Sequence, residues 1–512
     1  MMKLKTKKLC FLLAVALVFN CRPSNQAGCP EMEFPNIIYI LADDMGYGDV
    51  SAFNEQSKIR TPNIDALAAQ GMVFTDAHSG SAVCTPTRYG VLTGRYAWRT
   101  WVKKGVLWSY DEPLISPTRT TVASLLKKHD YHTAAIGKWH LGLGWQKGED
   151  GTVDLIKPIK NGPNANGFDY FFGITASLDI PPYIYIENDR STTTVIDTIS
   201  KNDGKGFWRR GPVGDDFKHE EVLPKLMQKA VQYIDAQAKN DAPFFLYFPL
   251  PAPHTPILPT EEFLGKSGTN EYGDFVLMVD DVVEQVVAAL EKNNISENTM
   301  VVFTSDNGCS PMADFDELAK FGHQPGYIYR GHKADIFEGG HRVPFVVRWP
   351  ERIKAGTRYD ETVCLTDLMA TCAAIVGDSL AADEGEDSFD LTSALLGKVV
   401  SGPIREATVH HSIEGVFSIR QNKWKLIFGP GSGGWSEPKP QKAKTLGLPS
   451  LQLYDLEQDP GELNNLADQE PELVKKLTAL MKKYIAQGRS TPGAPQPNDT
   501  ETTLYLNGSQ AE

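Results

Sequence analysis

Four short apolar runs constrain the fold of this chain more than anything else in it. Residues 36–42, 133–136, 244–248 and 300–305 are continuous and rich in β-branched or aromatic residues. That is the pattern of strands buried on both faces of a parallel sheet. Helical patterns separate them: residues 61–68, opened by Pro62 and stopped by Gly71; 121–131, with Val122, Leu125 and Leu126 on one face; 223–239; and the long 272–293. Strand, helix, strand in succession predicts crossover units, hence an α/β fold with a mixed, mostly parallel sheet flanked by helices. From about residue 405 the texture changes. Short strands at 407–409, 415–420, 424–428 and 451–455 predict a smaller antiparallel sheet, with a helix over 471–487 packed on it. The expected division is a main domain at 35–400, a C-terminal subdomain at 401–490, and a Gly/Pro-rich tail at 491–512 that is either mobile or bound to the surface.

Ligands of open α/β sheets collect at the carboxyl ends of the strands, and each apolar run delivers reactive residues there. The first ends in Asp43-Asp44 and the last in Asp306-Asn307. Hard oxygen ligands of this kind favour Ca2+ or Mg2+, with a pair of turn-forming aspartates as the competing reading of Asp43-Asp44. The second run leads into Gly137-Lys138-Trp139-His140-Leu141-Gly142, where strand alternation would point Lys138 and His140 at one anion. After the third comes Pro251-Ala252-Pro253-His254-Thr255-Pro256, whose prolines forbid helix and hold His254 in a rigid loop. Lys333 adds a cation ahead of a strand at 343–349, although alone it reads as a surface lysine. Asp280-Asp281 reads as the solvated side of the long helix rather than a metal site. In the irregular stretch 143–215, Asp179 and Arg190 are candidate sugar contacts, as are His323 and His332 near Lys333.

Residues 81–95 read as a turn running into a helix, with Pro86 early in the first turn, Arg88 one turn beyond Cys84, and Gly94 as the stop. Free N–H groups and the helix dipole at Cys84 favour an anion and would make a thiol reactive; a half-buried cysteine is the plainer reading. Cys84-x-Pro86-x-Arg88, followed by Thr93-Gly94-Arg95, resembles the signature of the type I sulfatases, in which this cysteine is converted to formylglycine (3-oxoalanine). Gly137 to Gly142, Gly167 to Gly173 and Glu338-Gly339-Gly340 also match family segments, so the resemblance covers most of residues 35 to 490 in order. It implies a sulfuric ester hydrolase with an alkaline-phosphatase-like α/β core. It further implies Asp43, Asp44, Cys84, Asp306 and Asn307 as ligands of one Ca2+, and Arg88, Lys138 and Lys333 as stabilisers of the sulfate oxyanions. His254 would protonate the leaving sugar hydroxyl, and His140 would deprotonate the remaining hydroxyl on residue 84. The implied partners are a sulfated saccharide, with a glycosaminoglycan such as chondroitin sulfate preferred, and a sulfatase-maturating enzyme during biogenesis. A phosphonate or phosphodiester hydrolase on the same fold, and a non-catalytic lipoprotein that binds sulfated glycans, stand as alternatives.

The net charge of −13 argues against a nucleic-acid partner, so an anionic substrate has to be met by a local cationic pocket. At the N-terminus, Lys3, Lys5, Lys7 and Lys8 precede an apolar stretch at 9–19, too short to span a bilayer. Residues 1–21 are therefore expected to be a signal peptide and 22–34 a linker, placing the protein in a bacterial periplasm or on the outer membrane. Cys21 follows Val18-Phe19-Asn20, so lipidation of Cys21 and simple cleavage nearby both fit; membrane contact would come only through that anchor. Of the seven cysteines, at 10, 21, 29, 84, 309, 364 and 372, no pair has zinc spacing and the set makes no disulfide framework. A Cys364–Cys372 bridge remains open.

Overall fold

The alternation along β1 (Asn36–Ala42) sets the layering. Ile37, Tyr39 and Leu41 pack into one apolar layer, and Ile38, Ile40 and Ala42 into another. In the computed structural model, which describes residues 34–398 and 402–504, this strand is central in a ten-stranded sheet. Its other strands are β2 (Met72–Phe74), β3 (His132–Lys138), β4 (Tyr170–Ile174), β5 (Ile186–Glu187), β6 (Arg190–Ser191), β7 (Phe244–Pro249), β8 (Thr299–Ser305), β9 (Phe345–Arg348) and β10 (Thr357–Tyr359). The order is β10-β2-β9-β8-β1-β7-β3-β4-β5-β6. The central strands β8-β1-β7-β3-β4 run parallel, whereas β9 pairs antiparallel with β8 and with β2. Four of the parallel strands are the four apolar runs, and they share one carboxyl edge.

Helices cover both faces. α1 (Pro62–Gln70), α4 (Val222–Gln237) and α5 (Glu271–Lys292) lie over the Ile38 layer, while α2 (Cys84–Thr93), α3 (Val122–Lys127) and α6 (Leu368–Ile375) lie over the Ile37 layer. Each start has a local cause: Thr121 and Ser124 form a capping box at α3, and Asn270 Oδ1 accepts from Tyr272 N and Gly273 N at α5. One expectation needs correction. Asp280 does not face solvent; it is buried in α5 and accepts from Asn63 N and Ile64 N, the latter at 2.8 Å, so it caps the start of α1 on a neighbouring helix.

The C-terminal strands β11 (Thr408–His411), β12 (Phe417–Gln421), β13 (Trp424–Ile427) and β14 (Gln452–Asp455) form the expected antiparallel sheet in sequential order. α7 (Pro471–Gln487) packs Leu477, Met481 and Tyr484 against Val409, Ile419 and Leu453. The tail is surface-bound through residue 504: Asp499 meets Arg95 at 3.0 Å and Asn498 meets Arg99 at 3.1 Å. The acidic loop at 383–390 is less exposed than its composition suggests, because Glu386 and Asp387 are buried against Arg95 and Arg99. The irregular stretch 143–215 holds the β5–β6 hairpin and a second one pairing 196–199 with 211–214. Cys364 and Cys372 are buried free thiols. Among the described residues no helix is long and apolar enough to cross a membrane. The expected signal peptide and Cys21 lie outside the described residues.

Candidate active site

The turn after β1 carries Asp43 and Asp44, the turn after β8 carries Asp306 and Asn307, and the two are stitched together. Asp44 N donates to Asp306 Oδ1 (3.2 Å), Met45 N to Ser305 Oγ (3.0 Å), and Asn307 Nδ2 to Asp44 Oδ1 (2.7 Å). All four side chains are buried. Three cations face them. Lys138 Nζ lies 2.6 Å from Asp43, Lys333 Nζ 2.7 Å from Asp44, and Arg88 Nη2 2.7 Å from Asp306 and 3.4 Å from Asp43. Burial alone would raise Asp43, but Lys138, His254 and Arg88 together hold it well below the usual carboxylate range. Lys333 is pushed up, its own burial outweighed by Asp44, residue 84 and Asp43.

Cys84 opens α2, as expected. Gly94 closes that helix at φ 64°, a left-handed conformation in which a Cβ would also collide with Met369 and Ser388. Its thiol departs from the reactive reading. Burial, the largest influence, raises it above the ordinary cysteine value despite Lys138 and Lys333, so the helix dipole does not make it a ready thiolate.

The two histidines have each committed one nitrogen. His140 Nε2 meets Leu107 O at 2.8 Å and His254 Nδ1 meets Thr255 O at 2.5 Å. A carbonyl accepts, so those nitrogens carry the protons. His140 Nδ1 is left buried and, among the described residues, without a hydrogen bond, and His254 Nε2 faces Asp44 at 3.5 Å. Burial, then Lys138 and Arg88, pull His140 well below its usual value; burial and Lys333 lower His254. The strand alternation predicted for Lys138 and His140 breaks down, because β3 stops at Lys138 and His140 takes φ 56°. Both nevertheless reach the site, since Thr85 Oγ1 ties His140 O (3.0 Å) to the residue after Cys84.

Do these residues suit a hard divalent cation? Asp43 Oδ1 and Asn307 Oδ1 are buried without a hydrogen bond among the described residues. Ligand atoms of Asp43, Cys84 and Asp306 lie within 4.8 Å of one another, as do those of Asp43, Asp44 and His254. Burial and the neighbouring Asp43 push Asp306 up to about 7, the mark of carboxylates short of positive charge. The donor set, carboxylate and amide oxygen, fits Ca2+.

The four candidate sugar contacts separate. Asp179 pairs its carboxylate with Arg209, whose guanidinium lies 5.0 Å over the exposed Trp108 ring. Sequence reasoning missed Arg209 and Trp108, although Trp108 follows Leu107, whose carbonyl holds His140. His332 stays half-buried beside Lys333, with Nδ1 2.9 Å from Lys333 O. Arg190 is not at the site: it sits on outermost strand β6, 64% exposed and beside Asp189. His323 is not a sugar contact either. It is buried, and its nitrogens meet Asp49 (2.7 Å) and Lys58 N (3.3 Å), so it braces the turn after β1.

Behind residue 84 lies a second buried polar cluster that sequence reasoning also missed, apart from Glu338. His78, His341 and His410 meet there, with His341 and His410 stacked at 3.9 Å and 7°. Parallel stacked imidazoles cannot both aim ring-plane lone pairs at one ion, and Lys425 already lies 3.1 Å from His341 Nε2, so this is not a metal centre. It is a clamp on the turn before Cys84. Ser79 N donates to His341 O (2.8 Å), His410 Nδ1 to Ser79 O (2.9 Å), Ala82 N to His411 O (3.0 Å), and Ala334 N to Ala82 O (2.8 Å).

Comparison with known proteins agrees with this geometry. The sulfatase family model matches residues 35–377. An N-acetylgalactosamine-6-O-sulfatase of Bacteroides thetaiotaomicron is 33% identical, over 94% of this chain and 99% of that protein. Arylsulfatase A of Homo sapiens is 32% identical, over 89% of this chain and 88% of its own. A solved 6S-sulfatase structure, from work on glycosaminoglycan metabolism by Bacteroides thetaiotaomicron, superposes with a TM-score of 0.78 at 33% identity, covering 88% of this chain and 99% of that one.

Proposed function

The chain belongs to the sulfatase family, and from that membership we propose that it removes the 6-sulfate from N-acetylgalactosamine in a chondroitin-type glycan. The observation that carries the catalytic reading is the convergence of Asp43, Asp44, Asp306 and Asn307, two of them with an oxygen that accepts no hydrogen bond among the described residues, beside Cys84 and three lysine or arginine cations. The names of the relatives support the sugar and the position.

In this reading Cys84 is oxidised to formylglycine, whose hydrate presents an oxygen where the buried thiol would be a poor nucleophile. Asp43, Asp44, Asp306, Asn307 and residue 84 would hold one Ca2+, which when bound draws negative charge from the sulfate oxygens. Arg88, Lys138 and Lys333 are held by carboxylates at 2.6–2.7 Å and need little reorganisation to meet the sulfate oxygens. In its imidazolium form, which Asp44 at 3.5 Å favours, His254 delivers the Nε2 proton to the departing sugar oxygen, with Lys333 nearby. His140, its Nδ1 lone pair free, takes the proton from the second hydroxyl of residue 84 as the bond from that carbon to the sulfate oxygen breaks, so sulfate leaves and the aldehyde is restored. Asp179, Arg209 and Trp108 form the wall that meets the sugar: an aromatic face for the ring and a carboxylate–guanidinium pair for its hydroxyls.

The N-terminal lysines and apolar stretch support export, with Cys21 as the anchor if lipidated; a Cys21→Ser variant leaving membrane fractions tests that. The function is tested by sulfate release from defined 6-sulfated and 4-sulfated N-acetylgalactosamine saccharides, using protein co-expressed with a maturating enzyme. Release from the 6-sulfated set is expected. Binding without turnover, or a preference of orders of magnitude for phosphate esters, would overturn the reading.

A further inference from the structure

The turn after β1 has a second side. Asp43 and Asp44 face the catalytic cluster, while Tyr47, at most about 10 Å further along the chain, lines a separate cavity of about 370 Å3, within the size range of small-molecule sites. Phe53, Tyr327 and Tyr329 surround Tyr47 with ring centroids 5.0 to 6.2 Å away. Arg342 lies 4.4 Å over Tyr329, and Arg358 reaches the cavity from β10. Thr75, just past β2, places this cavity on the same edge of the sheet as the catalytic residues, because β2 runs parallel to β8.

Three features distinguish it from an ordinary surface dent. Tyr327 is 38% exposed and held at φ 57°, a backbone conformation costly for a non-glycine residue, so the fold bears strain to present this ring. Arg358 is 67% exposed and uses only Nε, on Asp360, leaving its terminal nitrogens unpartnered among the described residues. Arg342 is spoken for by Asp76 at 2.9 Å and Glu338 at 3.2 Å, so it stiffens the wall, and the Arg358 terminal nitrogens are the cationic group that the cavity offers to an anion. Aromatic faces, an amide from Gln56 and an unengaged guanidinium suit a pyranose ring that carries an anion. The segment that supplies Tyr327 and Tyr329 is locked to the turn after β1, since Gly48 N donates to Pro325 O at 2.7 Å and a Cβ at Gly46 or Gly48 would strike the carbonyls of residues 324 and 325.

We propose that this cavity is a remote subsite that binds an anionic sugar residue, sulfated or carboxylated, of the same glycan chain whose sulfate ester lies at residue 84. It rests on the reading of the protein as a glycan sulfatase and predicts that longer substrates bind better than single sugars.

The test compares a 6-sulfated monosaccharide with a chondroitin 6-sulfate hexasaccharide for the wild type, Tyr327→Ala and Arg358→Gln. KM for the hexasaccharide is expected to rise about tenfold in each variant, with kcat and the monosaccharide KM changed less than twofold. Equal KM values for the hexasaccharide in all three proteins would overturn the proposal. Calorimetric titration of Cys84→Ala with the same hexasaccharide, alone and combined with either variant, separates the two readings. If no saccharide is desulfated, the function fails, while loss of hexasaccharide binding in the double variants would still establish the cavity. An unsulfated chondroitin hexasaccharide as competitor identifies the anion: competition assigns the carboxylate, and its absence alongside tight sulfated binding assigns the sulfate.

Discussion

Cys84 sits between Lys138 and Lys333, cations that would ordinarily favour a thiolate, yet burial outweighs both and its thiol is pushed up. The same low-dielectric surroundings that disarm sulfur strengthen every charge interaction with an oxygen nucleophile and a sulfate. Cys84→Ala is therefore expected to abolish turnover while leaving the thermal midpoint within a few degrees of wild type; residual kcat above about one part in a thousand would exclude residue 84 as nucleophile. The carboxylates around it call for positive charge. Stripping divalent ions with a chelator is expected to lower the thermal midpoint, and readdition of Ca2+ at about a hundred times its Kd should return about 2.7 kcal/mol. Mg2+, smaller and reluctant to shed water, should return less. A midpoint indifferent to both ions would count against the site.

At the scale of elements, Asp280 shows a helix stabilised from outside itself. Its carboxylate accepts from the first N–H groups of α1, so Asp280→Ala is expected to cost about 1–3 kcal/mol, read as a lower denaturant midpoint at unchanged m-value. An unchanged midpoint would show that water caps α1 equally well. This contact also marks where sequence reading stops. The four apolar runs and their turn residues were legible because burial on both faces leaves a continuous apolar signature, and the strand ends deliver Asp43, Asp44, Lys138, His254, Asp306 and Asn307 in register. Asp280 looked like a solvated acid because nothing in α5 announces that α1 begins against it. Arg209 and Trp108 escaped for the same reason: they lie in two loops that α3 and strands β3 to β6 separate in sequence, and neither loop announces the other. His323 was misplaced because nearness to Lys333 in sequence says nothing of which side of the turn a ring faces.

The whole molecule is joined through buried charge. Glu338, five residues past Lys333, and Glu462, beyond β14, converge on Lys425 of β13 at 3.1 and 2.9 Å, and Glu338 N donates to Glu462 Oε2 at 2.6 Å. Arg420 of β12 bonds Asp76 at 2.7 Å and approaches Glu338 at 3.4 Å. The antiparallel sheet is thus fastened to the segments carrying Lys333 and Cys84, and its packing and the catalytic geometry stand or fall together. Two carboxylates share one lysine there. Burial, followed by Glu338, pushes Glu462 up to about 7 from an ordinary 4.5, opposed by Lys425. Between those values the folded protein holds a proton that the unfolded chain has released. Stability therefore falls as pH rises through the window, by up to about 3 kcal/mol for a shift of this size. Glu462→Gln keeps an acceptor for Glu338 N and removes the titration. The wild-type denaturant midpoint is expected to decline between pH 5 and pH 8 more steeply than the variant's, with the curves nearest at the acid end if the amide fits as the protonated acid does. Parallel curves across that range would mean that Glu462 keeps an ordinary pKa, with Lys425 neutralising it while Arg342 and Arg420 serve Glu338.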